Sequence, residues 1–321
     1  MSESTKEGVT WLSWALFVVL AFTWGSSFIL MKRGLLTFTP VQVGMLRVTL
    51  AGSFLLLTSF RRLGALTRKN ALPLAVVGII SVFIPYILFP MAVTKIDSGL
   101  VGILNSLVPL FTLLIGVIWF RTTVTWRAIL GIGLGLAGAV WLLIPGVEIE
   151  AAFVLFGVLP IVAGVGYAIG VNTVNRYLKE MHPLEVTTCS LAFAMGPALI
   201  VLFATDTVGV MMASPVGWQS LGYIAILGIA GTSLANYAFN HLIRTTGSLF
   251  SSSVTYAIPV VALFWGFLDG ELIGWVEISG MLMILTGVWL VNTRKRAVMS
   301  SKELQKTPSP LKETAEVNIK S

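Results

Sequence analysis

Residues 95–109, KIDSGLVGILNSLVP, are written a second time, loosely, at residues 245–259, TTGSLFSSSVTYAIP. In each copy a short polar break precedes an apolar run. That run carries a polar pair, Asn105-Ser106 or Thr255-Tyr256, and then a proline, Pro109 or Pro259. The correspondence continues outward. Trp126, Gly131 and Gly138 are answered without a gap by Trp275, Gly280 and Gly287, and Tyr86 occupies the position that matches Asn236. A period of about 150 residues is too long for a solenoid repeat. It marks a duplicated half-protein.

The medium in which that duplication folds follows from composition. The 321 residues are 56% hydrophobic and 11% charged, whereas a soluble chain carries roughly a quarter charged residues. The mean hydropathy is +0.91. The apolar residues come in blocks of about 20, the length needed to cross about 30 Å of hydrocarbon. Ten candidate spans result, at about 11–33, 41–60, 71–93, 99–120, 126–145, 151–174, 185–204, 217–241, 248–268 and 272–293. The expected fold is an all-α polytopic membrane protein. Residues 1–10 form an N-terminal segment, 11–145 and 146–293 two five-span halves, and 294–321 a polar tail expected to be disordered. The first span is long and lacks a small-residue cleavage site, so it is read as retained. The lone Cys189 excludes an intramolecular disulfide.

The net charge of +7 is a matter of topology, not of nucleic acid. With the N-terminus inside, Lys6, Arg61, Arg62, Arg68, Lys69, Arg121, Arg127, Arg176, Lys179, Arg244, Arg294, Lys295 and Arg296 all fall inside. Only Lys32, Arg33 and Lys95 fall outside, together with Asp97, Glu148, Glu150, Asp206, Asp269 and Glu271. The positive-inside rule then places both termini in the cytoplasm. Each half has an odd number of spans, so the second copy enters the membrane upside down. Trp24 pairs with Tyr167, Arg33 with Arg176 and Pro40 with Pro183 at one constant offset, which extends the duplication to the start of each half. Inverted repeats let one fold open alternately to either side, which points at transport.

At Trp24-Gly25-Ser26-Ser27-Phe28, Lys32, Pro40, Arg47, Asn105 through Pro109 and the glycine-rich fifth span, the chain resembles an EamA-domain protein of the drug/metabolite transporter superfamily. The resemblance covers about residues 11–293. It implies a bacterial inner-membrane permease, often an exporter of amino acids or other small metabolites. It also implies a central cavity lined by spans 1, 3, 4, 6, 8 and 9, bordered by 2 and 7, with 5 and 10 at the periphery. After span four many such proteins carry a Gly-Glu pair. Here Arg121-Thr122 stands instead, while the second half keeps Gly270-Glu271, and no function is assigned to that position.

Arg47 is the sharpest candidate, lying about 10 Å inside span two by helix rise. A charge so placed faces protein or water. It can hold a carboxylate or phosphate bidentately, or else snorkel and cap carbonyls. Lys32 could reach the cavity mouth, but snorkelling to the interface is the leading expectation. Trp24 sits too deep for an interfacial belt, unlike Trp11, Trp14, Trp126, Trp218 and Trp275, and its twin Tyr167 is equally deep. Helix-face spacing joins Asn236, Tyr237 and Asn240 in span eight and Ser252, Thr255 and Tyr256 in span nine. Asn105, Tyr86 and Ser27 complete the candidate substrate-binding set. Neutral polar and aromatic groups suit a small amphipathic solute, with interhelical hydrogen bonding as the competing role. Pro85, Pro90, Pro109 and Pro259 are candidate hinges because each removes a helical hydrogen bond. Gly131, Gly135, Gly138, Gly280 and Gly287 are candidate packing positions within a monomer, with dimerisation as the alternative.

No Asp or Glu lies mid-span, and there is no HExxH or GxSxG. An enzyme, a metal centre, a cofactor and a proton-swapping carboxylate are therefore not expected. The expected partners are a small-molecule substrate and membrane lipid. The leading expectation is an alternating-access permease for amino acids or related zwitterions, working as an exporter or uniporter. A lipophilic-drug exporter of the same fold and a non-transporting scaffold or receptor are the alternatives.

Overall fold

The computed structural model describes residues 10–120, 125–143, 151–246 and 254–304; side chains are described up to Val291, with those of Phe120, Ala151, Ala152, Asn240, Ile243 and Arg244 excepted. Every regular element among the described residues is helical. Eight stretches are long and apolar enough to cross a membrane: Trp11–Gly34, Pro40–Ala65, Ala71–Val93, Ser98–Trp119, Trp126–Leu143, Phe153–Tyr177, Pro183–Ala204 and Gly217–Phe239. We number these spans one to eight. Two shorter apolar helices follow, helix nine at Val254–Leu268 and helix ten at Trp275–Val291. Among the described residues, eight of the ten expected spans are long and apolar enough to cross, and the helix that begins at Trp275 continues to Leu304. Helix nine was expected to begin at residue 248, and residues 247–253 lie outside the described ones. A short helix absent from the sequence reading, Thr207–Ala213, joins spans seven and eight.

Helix starts follow local chemistry. Thr39 and Gln42 form a capping box ahead of Pro40, and His182 and Glu185 do the same ahead of Pro183. These side chains satisfy orphan N–H groups at the one place where a proline costs nothing. Large apolar side chains cover the outside of the bundle. Trp11, Trp126, Trp218 and Trp275 are all exposed at or near helix ends, the pattern of a lipid-facing belt. The chain is a multi-pass membrane protein.

Several helices are interrupted. Span one breaks at Ser26, between Trp11–Gly25 and Ser27–Gly34. Span four breaks after Asn105 and resumes at Val108, with Pro109 in the first turn of the new segment. Spans three and eight each contain a π-helical stretch, Ile79–Phe83 and Ile229–Leu234. The two stretches sit at matching places in the repeat, each directly after a glycine, Gly78 or Gly228. Pro85 follows the first, but Ala235 stands at the equivalent place after the second. The π stretch thus belongs to the repeat and does not need the proline. Pro90 and Pro259, read from sequence as hinges, lie inside unbroken α-helices.

Span five and helix ten pack along glycines. A Cβ on Gly131 would strike the carbonyl of Gly287, and one on Gly287 the carbonyl of Gly131, so these backbones touch only because neither has a side chain. Gly138 and Gly280 extend the same seam, whereas Gly135 faces Leu110 of span four.

Candidate functional site

The centre of the molecule is built around Arg47, seven residues after the helix start at Pro40. One turn earlier on the same face is Gly44, where any Cβ would collide with the backbone carbonyl of Tyr86. Spans two and three therefore meet backbone to backbone. That contact brings the Arg47 guanidinium 3.8 Å from the centroid of the Tyr86 ring. Arg47 Nε donates to Thr232 Oγ1 at 3.2 Å. The Tyr86 and Thr232 hydroxyls are 3.4 Å apart. Thr232 directs its own proton to the Leu227 carbonyl, 3.3 Å away and five residues back, so its oxygen is left to accept.

The guanidinium is almost fully withdrawn from solvent, with Arg47 only 7% exposed. Burying a cation costs several kcal/mol even after relaxation. A desolvated cation–π contact returns about 2 kcal/mol and a hydrogen bond about 1 kcal/mol. The sequence places no Asp or Glu mid-span, and among the described residues no carboxylate pairs with Arg47. The positive charge at Arg47 is only partly compensated.

Aromatic side chains surround this charge. Tyr167 packs against the cluster that holds Tyr86 and stacks on Phe89 with centroids 5.7 Å apart. Phe89 in turn meets Phe28 edge-on at 6.0 Å. Trp24 Nε1 donates to the Gly231 carbonyl in the second π stretch at 3.1 Å, and its ring meets Phe239 edge-on at 5.1 Å. In the other half, Ser81 of the first π stretch donates to the Gly166 carbonyl, beside Tyr167, at 2.9 Å. So each π stretch is tied to the span carrying Trp24 or its twin. The two halves differ at one point. Gly228 sits against the Arg47 carbonyl, and Gly78 against that of Ser190. Ser190 stands seven residues after Pro183, as Arg47 does after Pro40. Ser190 is uncharged, and its buried hydroxyl has no hydrogen-bond partner.

Of the residues singled out from sequence, the structure brings together Trp24, Arg47, Tyr86 and Tyr167, with Ser27 buried and facing Gly231. Asn236 lies half-buried and returns its amide to Thr232 O at 2.7 Å, within its own helix. Asn105 ends the first segment of span four and is half-buried, as are Thr255 and Tyr256 in helix nine. Tyr237 is 60% exposed and points away from the centre. The Asn240 side chain and Ser252 lie outside the described residues. Thr232 was missed. Its own sequence context carries no signal, because a threonine becomes a central acceptor only once the π stretch turns it toward Arg47.

A second cluster closes one end of the bundle. The Lys32 ammonium lies 2.8 Å from Glu271 Oε1 and 2.6 Å from Asp269 Oδ2, and Arg33 also pairs with Asp269. Glu271 accepts from Ser98 N–H at 2.9 Å, Ser98 Oγ at 2.7 Å and Gly99 N–H at 2.9 Å. It thus caps the N-terminus of span four from a loop that turns at Gly270, whose φ is +82°. Burial pushes the Glu271 carboxyl up. The hydrogen bonds from Lys32, Gly99 and Ser98 outweigh that and hold it below the ordinary carboxylate value. One sequence expectation is corrected here, and one position left open gains a role. Lys32 is not a snorkelling surface lysine but half of an ion pair between span one and the loop after helix nine. Position 271, to which no role was assigned, is the hub of the cluster.

The comparisons with known proteins agree with this architecture. The model of the EamA-like transporter family matches residues 11–144 and again 154–293. An uncharacterized transporter of Archaeoglobus fulgidus is 25% identical over 285 residues, covering 87% of this chain and 99% of its own length. The uncharacterized inner membrane transporter YedA of Escherichia coli K12 is 27% identical over 297 residues, covering 88% and 90%. An S-adenosylmethionine/S-adenosylhomocysteine transporter of Chlamydia muridarum is 27% identical over 270 residues, covering 79% and 83%. One solved crystal structure shares the fold with a TM-score of 0.59 at 16% identity, over 89% of this chain and 98% of that one. These relatives are named transporters, not enzymes. With both halves of its length matched, the chain belongs to the EamA-like transporter family.

Proposed function

We propose that this permease moves small carboxylate-bearing metabolites, amino acids and related zwitterions among them, by alternating access between two inverted five-helix halves. The observation that carries the reading is the buried Arg47–Tyr86–Thr232 contact. It joins spans two and three of the first half to span eight of the second, across the interface of the repeats, where inverted-repeat transporters hold their substrates. The relative named for carrying S-adenosylmethionine supports metabolite transport. Helices nine and ten complete the ten crossings, and the basic loops place both termini in the cytoplasm. The Lys32–Glu271 cluster then faces outward and seals that side, and the expected direction is export from a monomer in the bacterial inner membrane.

Purified protein in liposomes tests this. Labelled amino acids should equilibrate faster than in empty vesicles. If neither they nor other carboxylate metabolites do, the permease reading fails.

The stacking of Arg47 on Tyr86 favours one second reading, in which Arg47 is structural and the solute a lipophilic drug. Hydrophobic-dye flux that survives Arg47→Ala, with no amino-acid flux in the parent protein, selects it.

A further inference from the structure

We infer that the solute best matched to the central site is a net organic anion with a flat apolar body, rather than a zwitterion. The inference rests on the permease reading above and narrows its substrate class. The protein supplies one positive charge there and no negative one. Arg47 is 7% exposed, and only its Nε has a hydrogen-bond partner among the described residues, Thr232 Oγ1. The Nη groups are left to bind a planar anion bidentately, the geometry a guanidinium presents to a carboxylate. The repeat counterpart of Arg47 is the neutral Ser190, so the site carries charge from one half alone.

A zwitterion would also bring an ammonium into the same space. Its natural partners are carboxylates, and none of the chain's acidic residues lies mid-span. The acceptors that remain near the π stretches are neutral, and the backbone carbonyls among them each already take one protein donor. Leu227 O accepts from Thr232, Gly231 O from Trp24, Thr232 O from Asn236 and Gly166 O from Ser81. One face of Tyr86, which could otherwise hold an ammonium, is covered by Arg47. Leaving a buried charge without a partner is costly, so the ammonium is a penalty and the carboxylate is the recognised group. Phe28, Phe89 and Tyr167 form the aromatic packing beside this charge, and a flat apolar body is the shape that would insert among them.

The test uses three solutes of one body at pH 6.5: N-acetyl-L-phenylalanine as anion, L-phenylalanine as zwitterion and L-phenylalaninamide as cation. Uptake into liposomes bearing the full-length protein is measured, with empty-vesicle leak subtracted. Thermal stabilisation of the detergent-solubilised protein is measured in parallel. The anion should be taken up at least about tenfold faster than the other two, the ratio that a charge-pair difference of about 1.4 kcal/mol produces. Arg47→Gln should abolish both uptake and stabilisation, and Arg47→Lys should keep part of each. Uptake of phenylalanine as fast as the anion overturns the inference and leaves the permease reading intact. Anion stabilisation that depends on Arg47 without any flux keeps the anion site and sinks the permease reading. Absence of both flux and stabilisation with the anion overturns the inference outright.

Discussion

Lys32 and Glu271, 239 residues apart in the chain, meet at 2.8 Å and tie span one to the loop that caps span four. Glu271 is the buried partner, its side chain 4% exposed, while that of Lys32 is 35% exposed. The pair is thus neither a solvent-screened surface bridge nor a fully desolvated one. Its value depends on the three further hydrogen bonds that Ser98 and Gly99 give to Glu271.

Removing Glu271 should therefore cost more than removing Lys32. Glu271→Gln leaves two N–H groups with a weaker acceptor and Lys32 with Asp269 alone. Thermal unfolding in detergent should show Glu271→Gln as the more damaging single change. Combined with Lys32→Gln the losses should be less than additive, by about 1–2 kcal/mol. Strict additivity would mean that the two side chains do not interact.

Asp97 begins span four but caps nothing with its own side chain. Partial burial first, then the negative charges of Glu271 and Glu277, push its carboxyl up against the pull of Lys32. A raised carboxyl stabilises the fold when protonated, and that stability is lost as pH rises through its folded value. Asp97→Asn should thus raise Tm slightly at pH 7, and the gain should vanish as pH falls below about 4, where aspartate is ordinarily protonated. A Tm gain that persists at pH 3.5 contradicts this account.

Tyr86 holds Arg47 by its ring rather than by its hydroxyl, since the hydroxyl contact with Thr232 is long at 3.4 Å. Tyr86→Phe should cost less than about 1 kcal/mol of stability. Tyr86→Leu should cost about 2 kcal/mol or more, as the cation loses its aromatic face. Equal effects from the two substitutions would show that the ring face is not what stabilises the guanidinium.

The seam between span five and helix ten gives a test of packing alone. Gly287→Leu should destabilise by more than about 3 kcal/mol, because its Cβ would meet the backbone of Gly131 and Gly135. Gly133→Leu, in the same glycine-rich helix but with nothing within 4 Å of its Cβ, should be tolerated. Unfolding midpoints of the two variants in detergent compare them directly. Similar losses would place the seam elsewhere.

Much of the centre was legible in the chain. Arg47 stands out because a charge eight residues into an apolar span is expensive, and Trp24 and Tyr167 because both sit too deep for a belt at matching repeat positions. Thr232 and Glu271 were not legible. Thr232 looks like any intramembrane threonine until a π stretch rotates it toward Arg47. Glu271 lies in a polar loop where a carboxylate is unremarkable, and it caps span four while the adjacent Asp97 side chain caps nothing. The unbroken helices at Pro90 and Pro259 were not legible for a related reason. Proline marks where a helical hydrogen bond is missing, but a helix packed on its neighbours absorbs that loss, as at Pro90 and Pro259, while the repeat inserts π turns where no proline is required.

The sequence by itself determined the membrane class, the twofold duplication and the presence of one uncompensated cation. These rest on composition and period, which are sums over many residues and survive ignorance of any single contact. Only the tertiary structure decided which residues meet: Arg47 with Tyr86 and Thr232, and Lys32 with Glu271. Those contacts join segments more than a hundred residues apart, apart from the Arg47–Tyr86 stack. They depend on helix rotation and close backbone approach at Gly44 and Gly228, which hydrophobic periodicity leaves undetermined because most faces of these helices are apolar.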